Sequence, residues 1–310
     1  MTKTLIIVLG PTGIGKTNLS ISLATHLKTE IISADSRQIY QELHIGTAVP
    51  DSQQLHTVKH HFIQSHSIHN YYNASQFEIE VLQKLNSLFE NYDTVIMSGG
   101  SMLYIDVVCN GIDDLPQIDP DTRIQLENRL KNEGLESLRT ELQKIDPEYY
   151  QLADLKNHKR ILHALEIYYS TGKKYSSYRT NVKKVRDFTI LKIGLNTDRA
   201  LLHERINLRV DQMIQNGLIE EARKVYPYKQ LNSLNTVGYK ELFSYFDHEI
   251  TQEAAIELIK RNSRRYARRQ LTWFNKDQAI NWFNINQEET IISFIDDTLK
   301  EITIQPQQNR

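Results

Sequence analysis

Apolar positions along the chain fall into two rhythms. Thr4 to Leu9 (T-L-I-I-V-L) is a continuous short apolar run that stops at a glycine-rich turn, which predicts a strand buried on both faces of a parallel sheet. From Lys16 to Leu27 the spacing changes, with Leu19, Leu23 and Leu27 recurring four apart on one helical stripe. Glu30 to Ser33 predicts a second short strand. Asn73-Ala74-Ser75-Gln76 then has the form of a helix start, and Phe77, Val81, Leu85 and Leu88 follow on one face. Thr94 to Ser98 predicts a third strand, ending in Gly99-Gly100. Strands alternating with helices imply a parallel α/β sheet, with ligands bound at the carboxyl ends of the strands.

The pattern changes near Leu115. Between Leu115 and Asp187 only helical spacing is found, and a strand pattern resumes at Phe188 to Leu195 (F-T-I-L-K-I-G-L). The fold class predicted is therefore an α/β P-loop core with a parallel sheet, interrupted by an inserted all-helical domain. Residues 1–112 form the first part of the core, 113–187 the insertion, and 188–310 the second part with C-terminal helices. In that last part, helices are predicted over about Arg199 to Val225 and Gln252 to Asn275, followed by a short apolar piece, Ile280 to Phe283. The polar residues 305–310 are expected to fray.

Gly10-Pro11-Thr12-Gly13-Ile14-Gly15-Lys16-Thr17 fits the pattern G-x-x-x-x-G-K-[ST], directly after a strand and before a helix. Glycines let backbone N–H groups turn inward around a phosphate, and the helix N-terminus adds the positive end of its dipole. Lys16 brings a full charge, and the Thr17 hydroxyl is the candidate ligand for Mg2+. The loop announces a di- or triphosphate without saying what the phosphates carry. A nucleotide triphosphatase also needs a strand ending in an acidic magnesium ligand. Thr94 to Ser98 ends instead in Gly99-Gly100-Ser101, whereas Glu30 to Ser33 leads to Asp35 in Ser33-Ala34-Asp35-Ser36-Arg37-Gln38. A carboxylate at that point can hold magnesium, act as a base, or cap the following turn.

Composition bounds the remaining options. The 310 residues carry a formal net charge of -1, which excludes a uniformly basic nucleic-acid binder but not local basic faces. A lone cysteine, Cys109, permits no internal disulfide and fits a reducing compartment. No apolar run reaches membrane-spanning length and no leader pattern follows Met1, so a cytoplasmic protein without a membrane partner is expected. His56, His60, His61, His66 and His69 have no acid or cysteine at ligand spacing and do not read as a metal site.

Two segments are locally basic. Arg261, Arg264, Arg265, Arg268 and Arg269 fall on one helical stripe with no acid among them. Like charges so spaced repel by about 0.2–0.5 kcal/mol per pair, so the stripe calls for an anionic partner, and guanidinium forks suit phosphate. Between Lys156 and Arg186, nine lysines and arginines face the lone Glu166 and are interleaved with Tyr168, Tyr169, Tyr175 and Tyr178. Basic and aromatic residues so mixed suit looped or single-stranded RNA, where bases can stack.

In this order the motifs closely resemble those of the bacterial tRNA dimethylallyltransferases, the tRNA isopentenyltransferase (IPP transferase) family. The matching stretches are Gly10 to Thr17, Ser33 to Tyr40, Ile45 to Ala48, Gly99 to Tyr104, His203 to Arg209, Val237 to Glu241 and Arg268 to Phe274, spread over nearly the whole chain. The resemblance implies transfer of a dimethylallyl group from dimethylallyl diphosphate to the exocyclic amine of the adenosine immediately 3' of the anticodon, with release of diphosphate. It also implies a helical insertion that grips the anticodon arm of tRNA; the protein is expected to be a monomer. By the same resemblance Asp35, Thr12 and Ser101 are catalytic, with Asp35 the base for the amine and Thr12 beside the bridging oxygen of the leaving group. Gly10 to Thr17, with Arg205 or Arg209, would hold the diphosphate. The tRNA-binding set would comprise Asp35, Ser36, Arg37, Gln38, Ser101 and Arg123. To these are added Lys159, Arg160, Ile161, Leu162 and His163 in the insertion, and Arg265, Arg268, Arg269 and Gln270 in the arginine helix.

Some positions depart from the family pattern. Ser101 stands for the usual threonine and keeps the hydroxyl, Val49 stands for a lysine, and His163 for an arginine. Gln64 to Tyr72 strays from the pattern and receives no role. Three alternatives stay open at this point: an adenylate isopentenyltransferase, a P-loop small-molecule kinase, and a non-catalytic RNA-binding protein. A small acceptor needs neither the insertion nor the arginine helix.

Overall fold

The structure, a computed structural model, describes residues 2–116, 118–180 and 182–304. Contacts divide the chain into two compact units, one of residues 1–110 with 185–310 and the other of residues 111–184. The sequence pattern placed the edge of the insertion three residues later. Arg186 accounts for that difference, because its guanidinium donates to Glu78 (2.6 Å) and to the carbonyls of Val107 (2.7 Å) and Val108 (2.9 Å) in the first unit. It serves there as an internal anchor.

The first unit begins β1 (Thr4–Leu9), α1 (Lys16–His26), β2 (Ile31–Ser33), α2 (Ser52–Thr57), β3 (His60–His61), α3 (Ala74–Asn91), β4 (Thr94–Gly99) and α4 (Met102–Asn110). The second unit holds α5 (Pro120–Ile145), α6 (Pro147–Leu152) and α7 (His158–Thr171). The chain then returns through β5 (Thr189–Asn196), α8 (Arg199–Gln215), α9 (Leu218–Val225), α10 (Tyr239–Phe246), α11 (Gln252–Phe274), β6 (Ile280–Asn284) and α12 (Glu288–Ile304). Among the described residues no helix is long and apolar enough to cross a membrane.

The six strands form one parallel sheet in the order β3-β2-β4-β1-β5-β6. β1 sits centrally, with Thr4 in register with Thr94 on one side and Thr189 on the other. Its side chains from Leu5 to Val8 are fully buried, as expected for a strand covered on both faces. Ile6 and Val8 pack with Leu19 and Leu23 of α1, Leu202 and Ile206 of α8, and Ile291 and Ile295 of α12. Side chains alternate along a strand, so Leu5 and Ile7 turn to the other face. There α3 packs on β4 and α4, with Phe77, Val81 and Leu85 fully buried, each contributing about 1.5–3 kcal/mol by its burial.

The helix start expected at Asn73 is a capping box, with Asn73 accepting from the Gln76 N–H and Gln76 reaching back. Two predicted elements are rearranged. The helix expected from Arg199 to Val225 is broken into α8 and α9 at Gly217, whose φ of 98° is unfavourable for any residue bearing a Cβ. The apolar piece at Ile280 is an edge strand, β6, paired with β5 from Lys192↔Ile280 to Asn196↔Asn284.

The helical unit has its own core of Leu126, Leu138, Leu142, Tyr149, Ile161, Leu162 and Leu165. Asp119 caps α5 with Pro120 behind it, and Gly134 (φ 79°) kinks that helix midway. Asn157 caps α7 through the Lys159 N–H, and Gly172 ends it in a left-handed turn.

Candidate active site

The turns leaving the carboxyl ends of β1, β2 and β4 come together and carry the chemistry of the site. After β1, residues 10–15 curl into the phosphate loop and α1 starts at Lys16. Gly15, with φ 107°, forms the N-cap of α1, so backbone rather than side chain lines this helix end. The Lys16 ammonium donates to the carbonyls of Gly10 (3.1 Å) and Pro11 (2.8 Å). Burial and the neighbouring Arg209 guanidinium depress its pKa to about 7, against an upward pull from Asp35. Two arginines from α8 reach the same loop. Arg205 donates through Nε to the Gly13 carbonyl (3.0 Å), and Arg209 donates to the Thr12 hydroxyl oxygen (3.2 Å). Because Thr12 accepts from Arg209, its own proton is free to point at a ligand. Burial lowers the pKa of Arg209, with Asp35 opposing.

After β2 the chain turns at Asp35. Its Oδ1 accepts from the N–H groups of Arg37 (2.9 Å) and Gln38 (3.3 Å), while Oδ2 takes no hydrogen bond from a described residue. The neighbours expected to hold a base are largely engaged in holding this turn. Arg37 donates to the carbonyls of Asn232 (3.2 Å) and Ser233 (2.8 Å). Gln38 donates through Nε2 to the carbonyls of Thr47 (3.2 Å) and Ala48 (2.9 Å) and accepts from Ser33 (3.3 Å). Ser101, past the end of β4, accepts from the Ser36 N–H (2.8 Å) and donates to the Ser36 hydroxyl (3.1 Å). Its hydroxyl thus braces the residue next to Asp35. The 64–68 segment, which carried no sequence signal, buttresses the same turn through Gln64 N–H to Gln38 O (2.8 Å) and His66 N–H to Ile39 O (2.9 Å).

Two cavities meet here. The larger, about 770 Å³, is lined by Lys16, Thr17 and Arg205 together with the 44–54 segment. The smaller, about 350 Å³, is lined by Ser36, Arg37, Ser101 and Arg269. Thr12, Asp35, Arg209, Met213 and Tyr266 wall both. The phenol of Tyr266, absent from the sequence-based set, has its pKa raised to about 12 by burial and the Asp35 charge. Its setting in an arginine run concealed it.

The arginine helix α11 does not present one stripe. Arg269 lines the smaller cavity, with its guanidinium 5.8 Å from the Tyr266 ring. Arg261, Arg264, Arg265 and Arg268 instead line a separate groove with Arg199 and His203. Gln270 is not an RNA-facing residue. It is 1% exposed, accepts from the Thr12 N–H (2.9 Å) and donates to the Gly100 carbonyl (2.7 Å), which ties the phosphate loop to the turn after β4.

In the helical unit, Ile161 and Leu162 are core side chains, so their place in the RNA-facing set is corrected. Arg123 pairs with buried Glu166 (3.0 and 3.2 Å), and His163 approaches the same carboxylate at 3.4 Å. These contacts hold α5 against α7. Lys159 and Arg160 are exposed in the first turn of α7.

A metal at this site would depend on the ligand. Among the described residues no cluster of histidine, cysteine and carboxylate ligands exists that could hold a metal ion. Thr17, at the first turn of α1, lines the larger cavity beside Lys16. One hydroxyl plus phosphate oxygens and water is a donor set that suits Mg2+, which keeps several waters and is commonly bound with substrate phosphates.

The fold and this loop define a P-loop protein in which the cavity beside the loop meets a second cavity across a shared carboxylate, Asp35. Its sequence relatives place it further: the chain belongs to the IPP transferase family, whose model matches residues 38–277. It is 55% identical to tRNA dimethylallyltransferase 1 of Phocaeicola vulgatus, over 95% of this chain and 98% of that protein. A tRNA dimethylallyltransferase 1 of Bacteroides fragilis is 54% identical, over 96% and 99%. The crystal structure of the full-length tRNA isopentenylpyrophosphate transferase of Bacillus halodurans superimposes with a TM-score of 0.71 at 35% identity, covering 96% of this chain and 97% of that one. A eukaryotic dimethylallyltransferase crystallised in the course of acting on tRNA gives a TM-score of 0.82 at 25% identity, covering 100% and 82%.

Proposed function

We propose that this protein transfers a dimethylallyl group from dimethylallyl diphosphate to the exocyclic amine of the adenosine immediately 3' of the anticodon in tRNA. The observation that carries this reading is the wall common to both cavities. Thr12 and Arg209 stand on it beside Asp35, so a leaving diphosphate and an attacking amine can be served from opposite sides. The apolar side chains of Ile45, Val49 and Met213 in the larger cavity suit a short hydrocarbon chain.

In the reaction the amine nitrogen forms a bond to the allylic carbon, the carbon–oxygen bond to diphosphate breaks, and one proton leaves the amine. Charge builds on the departing diphosphate, where the backbone N–H groups of the loop, Lys16, Arg205 and Arg209 offset it. The Thr12 hydroxyl, whose oxygen is occupied by Arg209, donates to the bridging oxygen as it becomes anionic. Mg2+, held by Thr17 and phosphate oxygens, would add electrostatic stabilisation of the same charge. Asp35 has Oδ1 fixed by two backbone N–H groups, leaving Oδ2 to accept the amine proton. A base so placed contributes about 10²–10⁴-fold.

The adenine reacts only when unstacked, at a cost of a few kcal/mol. RNA contacts made elsewhere offset that cost. Lys159 and Arg160 are exposed cations at the positive end of a helix dipole, an arrangement relieved by phosphate. Arg265 and Arg268 offer forks to phosphates along their groove, and Arg269 does so at the mouth of the smaller cavity. The test supplies dimethylallyl diphosphate with either anticodon stem-loop RNA or AMP as acceptor, and labelled ATP in a parallel reaction. Prenylation of the stem-loop is expected. Prenylation of AMP alone, or phosphate transfer from ATP, overturns the reading.

A further inference from the structure

On the far side of the cavities three consecutive backbone N–H groups converge on one side chain. Glu221 of α9 accepts from His44 (3.0 Å), Ile45 (2.8 Å) and Gly46 (2.9 Å), and the Tyr239 hydroxyl donates to it at 2.6 Å. Glu221 is 9% exposed. A carboxyl group so buried is tolerated only when its oxygens are matched by donors, and here four donors match them. Burial and the adjacent carboxylate push the Tyr239 phenol far above its ordinary range, so it stays a donor at every working pH.

The segment held in this way needs holding. It is built of turns, and Ala48 has φ 50°, a left-handed conformation that costs a residue with a Cβ. A Cβ on Gly46 would meet the Tyr239 ring at 2.7 Å, so the fit is close as well as polar. Beyond the grip, Thr47 and Ala48 present their carbonyls to Gln38, and the Gln38 N–H bonds to Asp35. Polar contacts therefore run without a break from Glu221 through residues 44–48 and Gln38 to the proposed base. The same segment also lines both cavities, Ile45 and Ala48 the larger, Gly46 and Thr47 the smaller.

We infer that Glu221, together with Tyr239, is a positioning residue for the transfer reaction: it touches neither substrate and sets the 44–48 segment against which Gln38 and Asp35 are aligned. This inference rests on the transfer activity proposed above. Glu221→Gln keeps the shape but turns an amide donor toward N–H groups that are themselves donors. With misplacements of about 1 Å able to cost about 100-fold, kcat for stem-loop RNA is expected to fall about 10- to 100-fold. Affinity for inorganic diphosphate should change less than about twofold, because no loop residue from Gly10 to Thr17 bonds to Glu221.

Tyr239→Phe removes one donor only and should lower kcat about threefold or more in a protein that still folds. A double-mutant cycle with Gln38→Ala separates positioning from a local loss of packing. If Glu221 acts through Gln38, adding Glu221→Gln to Gln38→Ala costs little further activity. Wild-type turnover is measured alongside, and its absence defeats the transfer reading rather than this inference. The inference is overturned if folded Glu221→Gln or Tyr239→Phe keeps wild-type kcat. It is also overturned if diphosphate affinity falls in step with kcat, or if the effects with Gln38→Ala simply add. Should Glu221→Gln fail to fold, Tyr239→Phe, alone and combined with Gln38→Ala, decides the question.

Discussion

Because Lys16 stands in the proposed diphosphate site, binding there should depend on protons. With its pKa lowered to about 7 by burial and by Arg209, its ammonium is half neutral in the unliganded protein at that pH. A diphosphate in the cradle restores a counter-charge and draws the proton back. At pH 8.5 the free protein must therefore take up nearly one proton to bind, at a cost of about 2 kcal/mol, or roughly 30-fold in affinity relative to full protonation. The last ionisation of the ligand lies near pH 6 by analogy with phosphate esters, so it contributes no uptake at pH 8.5. Titration calorimetry with dimethylallyl diphosphate at constant magnesium, in two buffers of different ionisation heat, counts those protons. About half a proton is expected at pH 7 and close to one at pH 8.5. Lys16→Met should show none. Wild-type binding with equal affinity at pH 7 and 8.5 and no proton uptake would refute the assignment of Lys16 as a partly neutral cradle residue. The sign for stability is the reverse. The unfolded chain keeps the lysine near its ordinary value and binds more protons between pH 7 and 10.5, so the unliganded fold gains stability as pH rises through that window.

Asp35→Ala should keep tRNA affinity within a few-fold while turnover drops by about 10²–10⁴ in a single-turnover assay. Gln270→Leu strands the Thr12 N–H and the Gly100 carbonyl in the interior, so a loss of about 2–4 kcal/mol is expected in urea unfolding, together with weakened diphosphate binding. Arg265→Ala with Arg268→Ala should raise KM for tRNA without changing kcat. The slope of log KM against log salt should shrink by about 1 to 2.

Local physics made much of this fold readable. The buried run of β1, the leucine spacing of α1 and the phosphate loop each carry their own signal within a dozen residues. Helical spacing replaces strand spacing after Leu115, within the segment 111–184 that contacts set apart as a unit. What escaped depends on distant partners. β3 contains only two residues, and β6 is an edge strand whose asparagines obscure its apolar positions. Gln270 sits in a run of arginines and resembles an RNA contact, yet its bonds reach residues 258 and 170 positions away. Arg37 likewise spends its guanidinium on carbonyls 195 and 196 positions away. A side chain chosen for a non-local hydrogen bond looks the same in sequence as one chosen for a ligand. Periodicity places the arginines of α11 on one stripe, and only the packing of α8 against α11 determines that Arg269 meets the cavity while the others line the outer groove.

The central claim is that one carboxylate stands between a phosphate cradle and an acceptor pocket, so that an amine can displace diphosphate. Mass spectrometry of nucleosides from unmodified tRNA incubated with the protein and dimethylallyl diphosphate tests it most directly. The expected result is isopentenyladenosine at the position immediately 3' of the anticodon, formed with one diphosphate per modified nucleoside and slowed about 10²–10⁴-fold by Asp35→Ala. Unmodified adenosine with wild-type protein, or modification by the Asp35→Ala protein at the wild-type rate, would contradict it.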